Sequence, residues 1–367
     1  MKNILVISAV NEKSPALRYR LIYTLDLLHN EKKVNYEILS FYAKDTDEVM
    51  NGNKLILKVL YMLRDLVRFM YKLTTIKVKY DVVIVKNYVF PIGGAGLEKI
   101  VRKKFDKCKF FYDIDDGIYL NKTRKQNSVF NRFRNAFEKV KFWSIECEKL
   151  MLSNEIIFKD LNEMIGIDKD KVIEFLSCPF EKQYFENYSE MVTHKEKECV
   201  NFIWLGSPHT QDNLLQCESF IMRLPEIVKN AKLFIIGAHK GFEHFRNLEY
   251  VEYVEWSMEN ERKYMRKSHV GLNPLVDDEF EKRKSAFKAI QYYRAGIVPI
   301  VSNVGINKRL VEQYGGYCSE KFDIVEMDNY INGVMSNYNE ICCNIYNITK
   351  ELTVETNKEI IENALKM

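Results

Sequence analysis

Short runs of β-branched and other apolar residues alternate with longer amphipathic stretches along most of the chain, and this alternation constrains the fold more than any other feature. In the first half, the predicted strands are Ile4–Val10, Tyr36–Phe41, Asp81–Lys86, Lys109–Ile114, Glu155–Lys159 and Val172–Leu176. In the second half, they are Val200–Leu205, Lys232–Gly237, Tyr250–Val254, Val270–Leu275 and Ile297–Ser302. Strands that alternate with helices predict βαβ units and therefore an α/β fold with parallel sheets.

A change of composition near the middle of the 367-residue chain predicts a domain boundary. Ser177–Phe180 interrupts the alternation, and a polar stretch rich in Glu and Lys, Glu181–Glu198, follows it. We predict a first domain over residues 1–180, a second over 181–340, and a C-terminal helix over 341–367 that packs back on the first domain. Two similar halves predict two Rossmann-like, doubly wound domains that face a cleft, with ligands beyond the carboxyl ends of the strands.

The charge balance and the cysteines exclude several classes of function. Lys and Arg exceed Asp and Glu only slightly, 55 against 51, so we expect no nucleic-acid partner. The eight cysteines form no C-x-x-C pair and no zinc-like spacing with histidine, which predicts reduced thiols in a cytoplasmic protein without a metal site. No apolar stretch approaches the ~20 residues that a transmembrane helix needs.

A basic amphipathic segment over residues 53–79 departs from the general pattern. The segment contains many lysines and arginines but a single acidic residue, Asp65, and its apolar residues recur at helical spacing. A helix of this kind can lie on an anionic membrane surface, which predicts a protein that is peripheral on the inner face of a membrane. It can also be a domain helix with one buried face and one solvated basic face. The sequence leaves both interpretations open.

Two arginines follow the first predicted strand. Arg18 and Arg20 stand at the start of a predicted helix, after Ser14-Pro15. Because helix N-termini bind anions, these arginines are candidates for binding a phosphate or an acidic acceptor. The alternative is that both are solvated on the helix surface. No G-x-G-x-x-G is present, so a dinucleotide-binding fingerprint is absent.

Three carboxylates, Asp113, Asp115 and Asp116, stand at the end of the apolar strand that begins at Lys109. Like charges so close together raise a pKa or require a cation, and both are signs of a functional site. The run therefore predicts a general base or a metal site. The alternative is an acidic turn in which Asp115 or Asp116 caps a helix.

A glycine turn and a basic helix start are the candidates in the second half. Gly206 follows a predicted strand and lets a ligand approach the backbone closely. Ser207 or Thr210 can cap the next helix, whose N-terminus can receive a phosphate. Lys284 and Lys288 are four residues apart, which predicts one shared helix face, and basic residues at a helix start oppose its dipole. This placement favours an anion site over a solvated basic turn.

These residues carry a resemblance to a known family. The chain resembles the GT-B-fold glycosyltransferases of family 4, or "group 1" type. The resemblance is most specific in the second half, in the Gly206 turn, Phe234–Gly237, Val254–Trp256 and the spacing Gly296-x-x-Pro299-x-x-Ser302.

The resemblance implies a function and a distribution of roles. A nucleotide-sugar donor, UDP- or GDP-linked, would bind the second domain as a substrate, and a glycan or lipid-linked acceptor would bind the first, with no further cofactor. Transfer would proceed with retention, and it would need no metal because cations and helix dipoles stabilise the leaving diphosphate. The implied donor-binding residues are Gly206, Ser207, Thr210, Trp256, Ser257, Lys284, Ser285, Lys288 and Gln291. The acceptor-binding residues are Arg18, Arg20 and Asp113, and the catalytic residues are Asp115, Asp116 and Lys284.

The chain also departs from the pattern of that family. The usual pair of glutamates, separated by seven residues, falls at Arg283 and Gln291, and Ser207–Thr210 replaces the usual basic pair after the glycine turn. The first hypothesis is therefore a glycosyltransferase of bacterial cell-surface polysaccharide synthesis. The alternatives are a non-catalytic relative that acts as a partner subunit, and a different nucleotide-sugar chemistry on the same fold.

Overall fold

The computed structural model describes residues 1–52, 54–120, 135–187, 189–191 and 199–366. By its internal contacts the chain divides into two compact units. The first unit comprises Met1–Ser177, Arg283–Ser285 and Val354–Met367, and the second comprises Cys178–Lys282 and Ala286–Thr353. Part of the predicted polar linker, residues 188 and 192–198, lies outside the described residues.

The first unit contains a six-stranded sheet in which every described strand pair is parallel. Its strands are β1 Lys2–Ser8, β2 Val34–Ser40, β3 Val82–Lys86, β4 Lys109–Ile114, β5 Lys149–Leu152 and β6 Val172–Glu174. They are arranged in the order β2-β1-β3-β4-β5-β6. The strand β2 is therefore added on one side of β1 and the strands from β3 onwards on the other, so the strand order reverses between β1 and β3.

The second unit repeats this architecture with a different strand order. Its strands are β7 Val200–Leu205, β8 Ala231–Ile236, β9 Val251–Val254, β10 Val270–Asn273, β11 Val298–Ser302 and β12 Tyr317–Ser319. The parallel order β12-β11-β10-β7-β8-β9 is that of the Rossmann dinucleotide-binding fold, and its direction reverses between β7 and β10. The predicted α/β class with two Rossmann-like parallel sheets is therefore confirmed.

Helices connect the strands in both units. In the first unit they are α1 Pro15–Leu17, α2 Tyr23–Asn30, α3 Thr46–Asn51, α4 Leu55–Thr75, α5 Gly96–Lys104, α6 Ala136–Glu146 and α7 Glu155–Ile165. In the second they are α8 Glu218–Met222, α9 Leu224–Ile227, α10 Met258–Lys267, α11 Phe287–Arg294, α12 Asn307–Tyr314, α13 Ile324–Ser336 and α14 Tyr338–Ile348, and α15 Val354–Lys366 returns to the first unit. A π-helical turn, Arg18–Ile22, joins α1 to α2, and the 3-10 turns are Lys169–Lys171, Gln211–Cys217 and Glu281–Arg283. Within the described ranges, no helix has the length and apolar character needed to cross a membrane.

Both faces of the first sheet are covered, which explains why its strands are apolar on both sides. One face packs against Phe69, Trp143 and Leu161, among others. The other packs against Leu25 and Leu28 of α2 and against Ile361, Ala364 and Leu365 of α15. The C-terminal helix is thus part of the core of the first unit.

One predicted strand is wrong. Glu155–Lys159 forms the first turns of α7, and the strand of this region is β5, which precedes it. The side chain of Asn154 accepts hydrogen bonds from the backbone N–H groups of Ile156 and Ile157, at 3.1 Å each. This N-cap satisfies two of the amides that a helix start leaves free, so the helix begins where the apolar run suggested a strand.

Candidate functional site

The strand orders locate the positions at which ligands bind in folds of this kind. In open parallel sheets, ligands bind outside the carboxyl ends of the strands where the strand order reverses. In the first unit this position lies beyond β1 and β3, and in the second beyond β7 and β10. Most of the residues singled out from the sequence lie in the loops at or beside these positions.

In the first unit, two acids and two bases form a buried cluster, Arg20, Lys86, Asp113 and Asp115, which we call the charge cluster. Lys86 ends β3, and its Nζ lies 3.0 Å from Oδ2 of Asp113 and 2.7 Å from Oδ1 of Asp115. The Arg20 guanidinium forms an ion pair with Asp113, with Nε 3.0 Å from both carboxylate oxygens. The exposed fraction of each of the four residues is 4% or less. Two positive and two negative charges therefore balance inside the protein.

This cluster corrects three predictions. Arg20 and Asp113 were expected to bind the acceptor, but both are buried, and each forms its ion pair within the unit. The crowded acids were expected to raise a pKa or to require a cation from outside. Burial alone would raise the pKa of Asp115, but the charges of Lys86 and Arg20 outweigh it and hold that pKa below its ordinary value. Asp115 is therefore paired within the protein and needs no cation from outside.

Arg18, which was predicted to bind the acceptor, and Asp116, which was predicted to be catalytic, lie nearer the surface than the charge cluster. Both side chains are half-buried; Asp116 is in the loop after β4, and Arg18 is the first residue of the π-helical turn Arg18–Ile22. In the neighbouring loop, Asn87 takes a left-handed conformation with a φ of 61° and donates from Nδ2 to Asp115 at 3.2 Å. Asn87 N–H also donates to the carbonyl of Asp113 at 2.8 Å. The loops after β3 and β4 are thus held together beside Asp116.

Sequence reasoning missed Lys86. Its signal was present, since a lysine ends a strand that is otherwise apolar, Val82–Lys86. Parallel neighbouring strands bring their carboxyl ends together, and β3 pairs with β4 so that Lys86 lies opposite Asp113. Because the carboxyl ends of neighbouring parallel strands lie together, the ion pairing of Lys86 with the acids that end the next strand could have been predicted.

In the second unit, the turn after β7 is tightly closed. Gly206 N–H donates to the carbonyl of Ile236 at 3.0 Å, and a Cβ on Gly206 would come within 2.3 Å of the Trp204 ring. Thr210 Oγ1 accepts from the N–H of Ser207 at 3.2 Å and donates to its carbonyl at 3.1 Å. The segment that follows is a 3-10 helix, and neither hydroxyl caps it. The predicted capped α-helix at this turn is therefore wrong, whereas the need for glycine is clear.

Lys288 lies against the same indole ring as the Gly206 turn. Its Nζ lies 4.8 Å from the centroid of the Trp204 ring, at the start of α11. The expected partner on the same helix face, Lys284, precedes the helix, because Ala286 is left-handed with a φ of 51° and α11 begins only at Phe287. Lys284 and Ser285 group with the first unit, and Lys288 groups with the second. The prediction that the two lysines share a helix face is therefore wrong.

The second unit also contains a cavity of about 590 Å³ at the carboxyl ends of β8 and β9. Trp256 stands in its wall, and its side chain is 38% exposed. Ser257 is the N-cap of α10, where its Oγ accepts from the N–H of Asn260 at 3.0 Å. The other wall residues include Ile235, Tyr253 and Val254, with His239, Lys240 and Arg246 as the basic members.

Gln291 is buried and is bonded within the second unit. Its Nε2 donates to Tyr184 Oη and to Glu261 Oε1, at 3.0 Å each. Its amide nitrogen is thus occupied by the protein, although Gln291 was expected to bind the donor. Arg283, the other position of the expected glutamate pair, forms an ion pair with Asp160 in the first unit. Among the described residues, no group of three or more His, Cys, Asp and Glu side chains is arranged to hold a metal ion.

Helix α4 carries an exposed apolar stripe on the first unit. Asp65, Phe69 and Leu73 face inward and are buried, and Asp65 accepts from the Ala43 N–H at 3.0 Å. On the outer face the exposed fractions reach 78% at Ile56 and 71% at Val67. The stripe comprises Ile56, Leu60, Leu63, Val67 and Tyr71. Lysines lie near both ends of α4, at positions 54, 58, 72, 77 and 79, and within the described ranges none of them has an ion-pair partner. Residue 53, where the predicted basic segment begins, lies outside those ranges.

No protein-family model matches the chain, and no curated protein matches it significantly. Solved structures do match over the full length. HepE of Anabaena, solved with UDP and glucose, is 11% identical with a TM-score of 0.62, and the match covers 100% of this chain and 99% of HepE. Sucrose-phosphate synthase of Thermosynechococcus elongatus is 10% identical with a TM-score of 0.70, covering 100% and 98%. WaaG, a glycosyltransferase involved in lipopolysaccharide biosynthesis, is 11% identical with a TM-score of 0.62, covering 98% and 99%. The chain therefore has the GT-B fold.

Proposed function

We propose that this chain is a glycosyltransferase that moves a sugar from a nucleotide-sugar donor to a glycan or lipid-linked acceptor. The observation that carries the proposal is the full-length likeness to structures whose ligands are UDP and UDP-glucose. The switch-point loops support it, since each unit presents polar residues where ligands bind in such sheets. A role in bacterial cell-surface polysaccharide synthesis, on the cytoplasmic side, is the form of this proposal that fits a lipid-linked acceptor.

The second unit is proposed to bind the donor. The cavity beside Trp256 would take the nucleoside, and the Gly206 turn with Lys288 would take the diphosphate. Gly206 is required by the close packing of the turn against the Trp204 ring, and Lys288 contributes positive charge next to the same indole ring. Positive charge that is fixed where the diphosphate departs lowers the barrier to transfer without a metal. Such electrostatic catalysis is compatible with retention, because a front-face attack needs no nucleophile from the protein.

The first unit is proposed to bind the acceptor through the loops after β1 and β4. Arg18 and Asp116 are half-buried polar residues there, and the residues of the charge cluster are paired with one another in the interior of the same unit. Lys284, in the loop before α11, is proposed to assist the departing diphosphate.

A second candidate function is a non-catalytic relative that binds a nucleotide sugar as a partner subunit. One observation favours it: the two positions of the expected glutamate pair, Arg283 and Gln291, are both bonded within the protein. Retained turnover of a nucleotide sugar distinguishes the two functions, and the identity of the product distinguishes transfer from another nucleotide-sugar chemistry.

A thermal-shift panel of UDP, GDP, ADP and CDP tests the donor site directly. At a hundred times its Kd, the matching nucleotide is expected to stabilise the protein by about 2.7 kcal/mol. For a unit of this size that corresponds to a rise in Tm of roughly 5–10 °C. Uridine and inorganic phosphate serve as controls for the two halves of UDP. If no nucleotide raises the Tm, the proposed donor site is wrong. Binding without turnover of the corresponding sugar nucleotides would favour the partner-subunit function.

The exposed stripe of α4 is proposed to lie on an anionic membrane surface. The apolar side chains would enter the interfacial region, and the lysines at both ends of α4 would contact anionic headgroups. Each such lysine contributes about 1 kcal/mol near an anionic surface. A membrane-bound enzyme of this kind would meet a lipid-linked acceptor where that acceptor is anchored.

Vesicle sedimentation tests this surface. Replacing Lys54, Lys58 and Lys72 together by glutamine is expected to weaken binding to phosphatidylglycerol-containing vesicles about a hundredfold. The matched control replaces Lys99, Lys103 and Lys104, which are on α5 or at its end, and should leave binding within threefold of the original. Equal losses in both triple variants would show a general effect of charge and would contradict a membrane site on α4.

A further inference from the structure

A single buried carboxylate connects four side chains in the second unit. Glu261 lies in the first turn of α10 and is only 4% exposed. Its Oε1 accepts from Gln291 Nε2 at 3.0 Å, from Tyr184 Oη at 3.1 Å and from Gln183 Nε2 at 3.2 Å. Its Oε2 accepts from Trp256 Nε1 at 2.9 Å. A buried charge of this kind persists only because donors replace the water that it has lost.

The bond to Trp256 has a different role from the other three. Gln183, Tyr184 and Gln291 hold the carboxylate from one side, and Trp256 is held by it from the other. Trp256 lies between the end of β9 and the start of α10, outside any regular element. An aromatic side chain in such a loop has rotational freedom, and a charge-assisted hydrogen bond to its N–H removes much of it.

The backbone at Gly237 also restricts the position of Trp256. Gly237 has a φ of +81°, and a Cβ there would lie 3.3 Å from Trp256 Cβ and 2.3 Å from the Gly206 carbonyl oxygen. Gly237 therefore allows Trp256 to pack closely beside the turn that follows β7. Glu261 and Gly237 together fix an indole ring that is still 38% exposed in the wall of the cavity.

We propose that Glu261 is a positioning residue that holds the Trp256 ring as a stacking platform for the base of a bound nucleotide. The inference rests on the proposed donor site and identifies what holds the base there. Stacking on an aromatic ring is worth 1–3 kcal/mol per base, which corresponds to roughly a 5- to 150-fold change in Kd. Gln291 then acts by bracing Glu261, which gives its buried amide a role without any contact to the ligand.

The three tryptophans allow a direct measurement. Trp143 and Trp204 are fully buried, so Trp256 dominates the quenching of fluorescence by acrylamide. In the ligand-free protein, Glu261→Gln is expected to shift the emission to longer wavelength and to raise the quenching constant at least twofold. Tyr184→Phe, which removes one donor to the carboxylate, should change both in the same direction but less. If Glu261→Gln does not fold, Tyr184→Phe provides the measurement in its place. An unchanged spectrum and quenching constant in the folded variants would overturn the positioning role.

Binding of UDP by calorimetry completes the test. Trp256→Ala is expected to raise the Kd for UDP at least tenfold, and Glu261→Gln about fivefold. Trp256→Phe retains a ring but has no N–H, so adding Glu261→Gln to it should cost no further affinity. Additive losses in that double variant would overturn a role for Glu261 through Trp256. If the unmodified protein binds UDP and Trp256→Ala binds it equally well, the stacking platform is wrong and the donor site stands. If the unmodified protein binds no nucleotide, both the stacking platform and the donor site are wrong.

Discussion

Replacement of Lys86 by methionine is expected to lower the free energy of unfolding of the first unit by about 3–5 kcal/mol at neutral pH. The methionine would fill a similar volume, so the loss would come from charge and not from a cavity. Lys86 contacts both Asp113 and Asp115, and without it two buried carboxylates would share the single positive charge of Arg20. Urea unfolding monitored by circular dichroism measures the difference.

The pH dependence of this variant supplies a second observable. In the unmodified protein the pKa of Asp115 is lowered, so its ionisation stabilises the fold above the ordinary carboxyl pKa, and that stabilisation is lost as the pH falls from the ordinary pKa through the lowered one. Without Lys86, burial dominates and raises that pKa, so protonation relieves the unpaired charge. The gap in stability between the two proteins is therefore expected to narrow between pH 7 and pH 5.

The matched control is Lys99→Met, because Lys99 is an exposed lysine on α5 of the same unit. We expect it to change the stability by no more than about 0.5 kcal/mol. A loss below 1 kcal/mol for Lys86→Met, or a gap that widens in acid, would contradict the electrostatic account of the charge cluster.

Replacement of Lys288 by alanine is expected to lower kcat/KM for sugar transfer by about 10²–10³-fold, the cost of removing one preorganised group that stabilises charge in a transition state. The side chain lies over the Trp204 ring beside the Gly206 turn, where the diphosphate is proposed to bind. The donor for this assay is the sugar nucleotide that the thermal-shift panel identifies.

Binding measurements separate this role from a general loss of structure. Lys288→Ala should raise the Kd for UDP about tenfold and leave the Kd for uridine unchanged, since only the diphosphate would contact the ammonium group of Lys288. Lys350→Ala, an exposed lysine at the end of the same unit, serves as the control and should affect neither ligand. If Lys288→Ala retains full kcat/KM, the diphosphate binds elsewhere and Lys284 becomes the first alternative.

The alternation of strands and helices was predictable because it is a local property of the sequence. Buried parallel strands are short apolar runs, and most of them were predicted within a few residues of their observed bounds. The failure at Glu155–Lys159 has a local cause, because a short apolar run fits a strand and a helix equally well. The Asn154 cap decides between them. The three-residue strand β12 is too short to carry a period of its own.

The candidate site was predictable only as a set of loops. The residues after β1, β4 and β7 were singled out from their residue types and from their position after predicted strands, and the structure locates them at the carboxyl ends of the two sheets. Their partners were not predictable, since Lys86 is 27 residues before Asp113 and Gln291 is 30 residues after Glu261. Hydrogen bonds over such separations depend on strand register and helix packing, which a single sequence does not report.

The position of α15 has a consequence for how the protein is made. The core of the first unit includes Ile361, Ala364 and Leu365, so that unit cannot complete its packing when Ser177 has been synthesised. About 180 further residues must follow, which at roughly 5–20 residues per second takes about 10–35 s. During this interval the apolar surface of α2 that receives α15 is uncovered on the nascent chain. We therefore expect the nascent first unit to depend on chaperones, and the second unit, which is nearly continuous in sequence, to reach its native state before the first.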